Sequence, residues 1–571
     1  MFSTTWKKGM AVLASAGAMG ILLAGCGTNS SASGNNSNNT TSTTSSQSKP
    51  HMGGSIQLDS ISNWKDIDPA LNYDTTSNEL VMAMYNQLVT YKGASSTIGP
   101  SLAKSWTVSS DGRTYTFHLR HGVTFWNGDK MTAQSFIDEF QRVLNPKIAS
   151  PGEGFIDPIV VGSAAYAKGT AKTISGITAP TPYTLVIKLT KAEPFFLDIL
   201  AMPFFSAVDQ SFINKVGNKT FDSTKAMGTG PFELQSISTN QAVFVKNPHY
   251  FEVDKYGNHL PYLDKVTMRV NTNAQLDALN FEQGQTAIMG DLMNGIPSSV
   301  YPTFISNPQY KKLIETLPLN AVNYVGLNNS MKPFNNPLVR QAMEYAINKN
   351  KILQLMNGRG QVADQPLPPK MPGYVSKSAL QAAGVYYTYD PAKAKQLLAK
   401  AGYPKGFTTT LYTPNDPDNL KIAGVVQNEL AQVGVKVNIQ QSDWNTFLDT
   451  NEKGNVQPMF LLAWFQDFPD PSDFLNTLFN SNQQPANNST MYTNKQVDQW
   501  LNTAQTDTNH TQRMDLYKKA TIQIMKDASW VPTYYPLQTD AVQSWVHGFY
   551  ISPTQPDMLQ YIWINPGHSR G

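Results

Sequence analysis

The chain of 571 residues holds one cysteine, Cys26, and everything after it must fold without a thiol. No intramolecular disulfide can form there, and no cysteine-rich zinc or iron–sulfur site can staple a small domain. The folded part is therefore held by burial of its own apolar side chains. About 520 residues follow position 50, which at roughly 150 per domain implies two to four domains, each large enough for its own core.

Where that cysteine stands says more. It ends the run Leu23-Ala24-Gly25-Cys26, after a cationic start at Lys7 and Lys8 and an apolar stretch over residues 10–23. The stretch is too short to span a bilayer and closes on small residues, as a cleavable signal peptide does. The four-residue ending resembles the bacterial lipobox. It implies removal of residues 1–25 and acylation of Cys26 as the mature N-terminus; the alternative is a secretory signal with an unrelated cysteine. Two acyl chains on Cys26 plus an amide-linked third would hold the protein at a membrane, where a single chain binds only marginally. Residues 27–48 are nearly all Ser, Asn, Thr and Gly. Such a stretch has almost nothing apolar to offset the entropy of ordering it, so residues 26–52 read as an acylated cysteine and a disordered tether. Two dozen flexible residues reach ~25 to 30 Å.

Lys7, Lys8 and Lys49 account for the whole formal net charge of +3, so the rest of the chain is neutral. It carries no basic stripe, which argues against nucleic acid, and no Lys/Arg run that would bind anionic lipid. Its charged fraction of 15% is low, with Asn, Gln, Ser and Thr in those places; adaptation to an acidic exterior and simple drift both explain this.

In residues 102–146, Tyr115, Phe117 and Leu119 alternate with polar residues, the period of a half-buried strand, between Asp111-Gly112 and Gly122 as turns. Thr132 then opens a helix with Phe136, Ile137, Phe140, Val143 and Leu144 on one face. Asn336 with Pro337 starts another, in which Val339, Met343, Ala346, Ile347 and Leu355 mark a buried stripe. Asp390-Pro391 repeats that start signal, and Gly402 ends the helix carrying Leu397 and Leu398. Strands are expected at residues 408–413, 435–439 and 459–464, with a helix over 422–433. This alternation implies a largely parallel sheet covered on both faces, with ligands in a crevice at its strand ends.

The block Leu102-Ala103-Lys104-Ser105-Trp106, Asp111-Gly112-Arg113, Tyr115-Thr116-Phe117-His118-Leu119-Arg120, Gly122-Val123, Trp126-Asn127-Gly128 and Met131-Thr132-Ala133 closely resembles the signature of solute-binding protein family 5. Its members are oligopeptide, dipeptide and nickel receptors of ABC importers. Further matches follow in the family's order: Asp68-Pro69, Gly228-Thr229-Gly230-Pro231-Phe232, Lys246-Asn247-Pro248-His249-Tyr250, Pro333-Phe334, Val339-Arg340-Gln341-Ala342, Tyr389-Asp390-Pro391, and Trp464 with Asp467-Phe468-Pro469-Asp470-Pro471. The similarity runs from about residue 53 to the C-terminus.

The resemblance implies an α/β fold like the type II periplasmic-binding proteins, with two lobes around a cleft, in its large three-domain variant. Domain I is expected at 53–95, 225–318 and 538–571, an inserted domain II at 96–224, and domain III, the second lobe, at 319–537. The chain is expected to cross between lobes at residues 228–231 and 531–536. The function implied is capture of oligopeptides by hinge closure and delivery to a permease, outside the cytoplasmic membrane. No cofactor and no catalysis are implied; the partners are the peptide, the permease and ATPase subunits, and the membrane through the lipid, with the receptor itself a monomer. A nickel chelate, haem or an oligosaccharide are alternative ligands on the same scaffold. A surface hydrolase or adhesin would account for the lipobox and tether but not for the ordered motifs.

In peptide-binding relatives the aspartate matching Asp467 receives the ligand's α-ammonium, which suits a carboxylate in a partly desolvated cleft; a solvated loop acid or a helix cap is the alternative. Asp470 and Asp473 fit a helix start better than a ligand contact. The resemblance further implies Trp464 as a flat apolar wall, Tyr73 as a residue facing it, Phe465, and main-chain contacts at Ala463 and Thr75; the aromatics could equally be core. Gly358-Arg359-Gly360-Gln361-Val362-Ala363 fits a dinucleotide pattern by accident, because it follows a helix and opens none. His118 and His121 fall on opposite faces of a strand and share no metal.

Overall fold

The computed structural model describes residues 49–60, 63–290, 295–554 and 558–570. Cys26, the signal segment and the tether up to residue 48 lie outside the described residues. Everything below concerns the compact unit Pro50–Gly571. Among the described residues no helix is long and apolar enough to cross a membrane.

Three large sheets organise this unit. The first is four-stranded, in the order Ser55–Ser60, Lys265–Val270, Gln241–Lys246 and Phe232–Ile237, parallel in its first pair and antiparallel after it. The second, in the order Ala103–Val108, Thr114–Leu119, Thr184–Lys188 and Ile177–Thr181, is antiparallel throughout. Tyr115, Phe117 and Leu119 are buried there at every second position, as their alternation requires. They share a core with Phe136, Phe140 and Val143 of the helix Ala133–Val143. Thr132 opens that helix, its N–H donating to Ser135 Oγ at 3.3 Å.

The third sheet has eight strands and spans two regions of the unit. Its backbone is Trp530–Val542. The first half of this strand pairs with Ala321–Leu327 and Gly360–Val362, the second half with Ile314–Pro318 and Ile288–Met289. Beyond Ala321–Leu327 come Met459–Phe465, Thr408–Pro414 and Lys436–Ser442. Only the last three strands are mutually parallel. The expected largely parallel sheet is thus a parallel edge on an antiparallel body. Helix-linked segments make the parallel part, whereas residues 321–327 reach Met459–Phe465 by an antiparallel pairing that local pattern does not encode.

One other expectation changes. The stripe does not continue to Leu355, which is 39% exposed. The helix Pro337–Ala346 stops, and Asn348 caps a new one, Lys349–Leu355, with a different face inward. Residues 531–536 lie inside the continuous strand Trp530–Val542, which pairs with strands from both regions of the large sheet.

The Gly-Thr-Gly-Pro run is explained by close approach. A β-carbon at Gly228 would lie 1.9 Å from the Met84 carbonyl oxygen, and one at Gly230 would lie 2.3 Å from the Met84 carbonyl carbon. Only glycine lets this connection pass the end of the helix Thr75–Met84, where the Gly230 N–H donates to the Met84 carbonyl at 2.8 Å.

Candidate functional site

Met459–Phe465 carries the site, and its pairing explains why. On one side it pairs with Ala321–Leu327 along its full length, up to Phe465 opposite Ala321. On the other, the ladder to Thr408–Pro414 ends at Tyr412 opposite Phe460. From residue 461 onward the two parallel strands diverge, and a cavity of about 790 Å³ opens at their carboxyl ends. Leu319 and Asn320, between the strands Ile314–Pro318 and Ala321–Leu327, and Pro536 and Leu537 of Trp530–Val542 line it, as do Asn72, Tyr73, Thr75, Met202 and Phe204 from elsewhere in the chain. Pro414, Asp416, Trp444, Ala463, Phe465 and Asp467 come from the parallel edge.

Tyr73, Trp444 and Phe465, at 53%, 51% and 53%, are the most exposed aromatic side chains among the described residues, and all three line this cavity. Aromatic surface left open and gathered in one cleft marks a place where something binds.

Of the strand Met459–Phe465, Leu461, Leu462, Ala463 and Phe465 line the cavity, and Trp464 does not. Ala463 and Phe465 point to the cavity, so Trp464 between them points away, half-buried against the core that holds Phe460 and Phe474. Trp464 is not a cavity wall here; its indole N–H donates to Asp473 Oδ2 at 3.3 Å. Tyr73, Thr75, Ala463, Phe465 and Asp467 all line the cavity.

The hydroxyl of Tyr73 donates to the Asp467 carboxylate, 3.1 Å from each oxygen. Among the described residues Asp467 is in no ion pair. Burial pushes its carboxyl above the usual range, with the Tyr73 hydrogen bond opposing the shift. Burial and the neighbouring Asp467 charge likewise raise the Tyr73 phenol. The other two lining carboxylates are engaged: Asp416 caps the helix Pro417–Ala431, and Asp418 pairs with Lys421 at 3.0 Å and accepts from Ser298 Oγ at 2.9 Å.

Asp470 caps the helix Pro471–Phe479 and pairs with Arg513 at 2.5 Å, a helix-start role as expected. Asp473, in the first turn, does more: its Oδ2 also accepts the Asp467 main-chain N–H at 3.0 Å. Between these acids Phe468 stacks on Phe195, ring centres 5.1 Å apart, and joins the core of the Ala133–Val143 region.

Sequence reasoning missed three residues. Arg359, set aside within an accidental glycine pattern, is the one cation lining the cavity among the described residues. It donates to the Ile296 carbonyl at 3.2 Å and lies 3.5 Å from Asp418. Trp444 follows the cap Asp443 at the start of the helix Trp444–Asn451, and only its 51% exposure in the fold marks it. Asp473 gave no signal beyond its cap-like spacing.

The family model described as bacterial extracellular solute-binding proteins, family 5 Middle, matches residues 97–486. The chain is 30% identical over 508 residues to Heme-binding protein A of Haemophilus influenzae, covering 85% of this chain and 88% of the relative. It is 28% identical over 500 residues to the dipeptide-binding protein of Escherichia coli, covering 84% and 88%. Among solved structures it is similar to the ABC transporter-associated periplasmic binding protein DppA of Helicobacter pylori in complex with the peptide STSA. That match has a TM-score of 0.74 and 29% identity, over 90% of this chain and 98% of that one. The sheets described above and this likeness identify the architecture as the two-lobed type II periplasmic-binding fold.

Proposed function

This chain belongs to family 5 of the bacterial extracellular solute-binding proteins, and from that premise we propose that it is the peptide-capturing lipoprotein of an ABC importer, held outside the cytoplasmic membrane by Cys26. The observation that carries this reading is Asp467: a carboxylate in a cavity between sheet regions, raised by burial, facing Tyr73 and paired with no cation among the described residues. An α-ammonium is the counter-charge it lacks, and in that partly dry site water competes poorly for the hydrogen bond. A carboxylate has about four acceptor positions, so the ammonium can bind beside the Tyr73 hydroxyl.

The rest of an extended peptide would lie along the main chain at Ala463 and Thr75, as an added strand does, with Trp444 and Phe465 against its side chains. Arg359 offers the far end a cation for a carboxylate. Because the ligand touches both sides of the cavity only when they are together, binding would favour the closed form that a permease recognises. The domains set out from sequence and the hinge at their crossings are part of this proposal, and the permease and ATPase are its partners.

A haem reading is favoured by the name of one relative. Against it, no histidine or cysteine lines the cavity among the described residues, and two propionates would meet the single cation Arg359. Replacing Asp467 by Ala tests the peptide reading: free-amino peptides should bind about tenfold to a hundredfold more weakly, ~1.5 to 3 kcal/mol. Unchanged affinity would reject it.

A further inference from the structure

Beneath the proposed clamp lies a second carboxyl with no part in that reading. Asp473 is 1% exposed. One of its oxygens, Oδ2, holds the Asp467 main-chain N–H at 3.0 Å and the Trp464 indole N–H at 3.3 Å, so it grips both ends of the turn that presents Asp467. No ion pair reaches it among the described residues. Arg513 on the helix His510–Asp527, the partner of neighbouring Asp470, is committed to Asp470 at 2.5 Å, the Ala504 carbonyl at 2.9 Å and the Tyr517 hydroxyl at 3.3 Å.

The other titratable groups around Asp473 are Asp467 on its own turn, Asp470 at the helix start, Tyr73 on Asp467, and Tyr91, whose hydroxyl donates to Asp198 at 3.2 Å. All are acids or phenols. A half-buried and a fully buried carboxyl joined through one peptide unit, with no ion-pair cation among the described residues, are costly to ionise together.

We propose that Asp473 is the positioning residue of the amino clamp, and that the Asp467–Asp473 pair holds one proton in the empty cleft and releases it to solvent when a ligand ammonium arrives. The proposal rests on Asp467 being that clamp. Burial raises both carboxyls and the Asp467 charge raises Asp473 further, while the N–H bonds Asp473 accepts and the Tyr73 hydroxyl on Asp467 oppose the shift without reversing it. On binding, the ammonium supplies the missing positive charge, both carboxyls ionise, and Asp473 becomes a second negative charge behind the first. Such a pair titrates as a unit, so the released proton belongs to the two together.

Calorimetry of the protein with trialanine, in buffers of differing ionisation enthalpy, reads that proton directly. The wild type should release a substantial fraction of one proton per peptide at mildly acidic pH, and affinity should fall as pH drops through that window. Asp473→Asn keeps an acceptor oxygen for both N–H groups but cannot hold the shared proton. It should bind within about threefold of wild type at neutral pH, release little or no proton, and move the acid limb down by about one pH unit. Wild-type binding without proton release at any pH overturns the proposal, whether or not the variant folds, as does an Asp473→Asn profile identical to wild type. If Asp467→Ala leaves trialanine binding intact, the clamp reading itself fails; if binding needs Asp467 but releases no proton, only the shared proton is rejected.

Discussion

Tyr73 and Asp467, 394 positions apart in the chain, meet through a hydroxyl that stands 3.1 Å from both carboxylate oxygens. Both residues line the cavity, and the contact is the main stabiliser of charge on a carboxylate that burial disfavours. Tyr73→Phe should therefore weaken binding of free-amino peptides by about tenfold, the worth of a hydrogen bond to a charged group. It should also move the acid limb of the affinity profile to higher pH, because Asp467 loses a donor that favours its charged form. Titration calorimetry across the acidic range measures both.

Arg359 offers a second test within the cavity. As its one cation among the described residues, it should matter for ligands with a free carboxyl terminus. In Arg359→Gln, affinity for free-acid peptides of three to five residues should drop severalfold, while their C-terminal amides should be little affected; equal losses would mean that Arg359 serves only the fold.

The stability of the body should rise as the medium is acidified from neutrality. Burial raises Asp66, Glu193 and Asp198 to about 7 and Glu139 to about 8, with Asp222 adding to the shift at Asp66 and Asp470 at Asp198. A carboxyl whose folded value exceeds its unfolded one binds more protons when folded. Its stabilising contribution is complete below about pH 4 and is lost as pH rises through about 7 to 8. The melting temperature should be higher near pH 5 than near pH 8, and a flat or opposite trend would show that these acids are not buried as described.

Arg142 holds the family's Asp68-Pro69 element in place. Its guanidinium binds both Asp68 oxygens and lies 2.7 Å from Glu139, with all three residues buried. Arg142→Met leaves two buried carboxyls without a cation and should cost about 3 to 5 kcal/mol in denaturant unfolding. The loss should be larger at neutral than at acidic pH, where protonation relieves it.

What the sequence made legible was local. The strand Thr114–Leu119 and the helix starts at Thr132, Asn336 and Asp390 followed from alternation and caps, because neighbours in the chain decide them. Leu355 was misread because a periodic stripe was carried across Asn348, whose cap signal was there to be seen. The antiparallel body of the large sheet was hidden because the direction of pairing between residues 321–327 and 459–465 depends on contacts far apart in sequence. Strand period alone could have turned Trp464 away from Ala463 and Phe465. Asp467 was singled out through resemblance to a family rather than through its spacing, whereas Arg359 and Asp473 owe their places to folding that no short motif reports.

The most direct test compares wild-type affinity for one short peptide with a free amino terminus and for the same peptide N-acetylated. If the half-buried Asp467 carboxylate receives the ammonium, acetylation should weaken binding by at least tenfold, ~1.4 kcal/mol or more, at neutral pH. Equal affinity for the two would contradict the account at its centre.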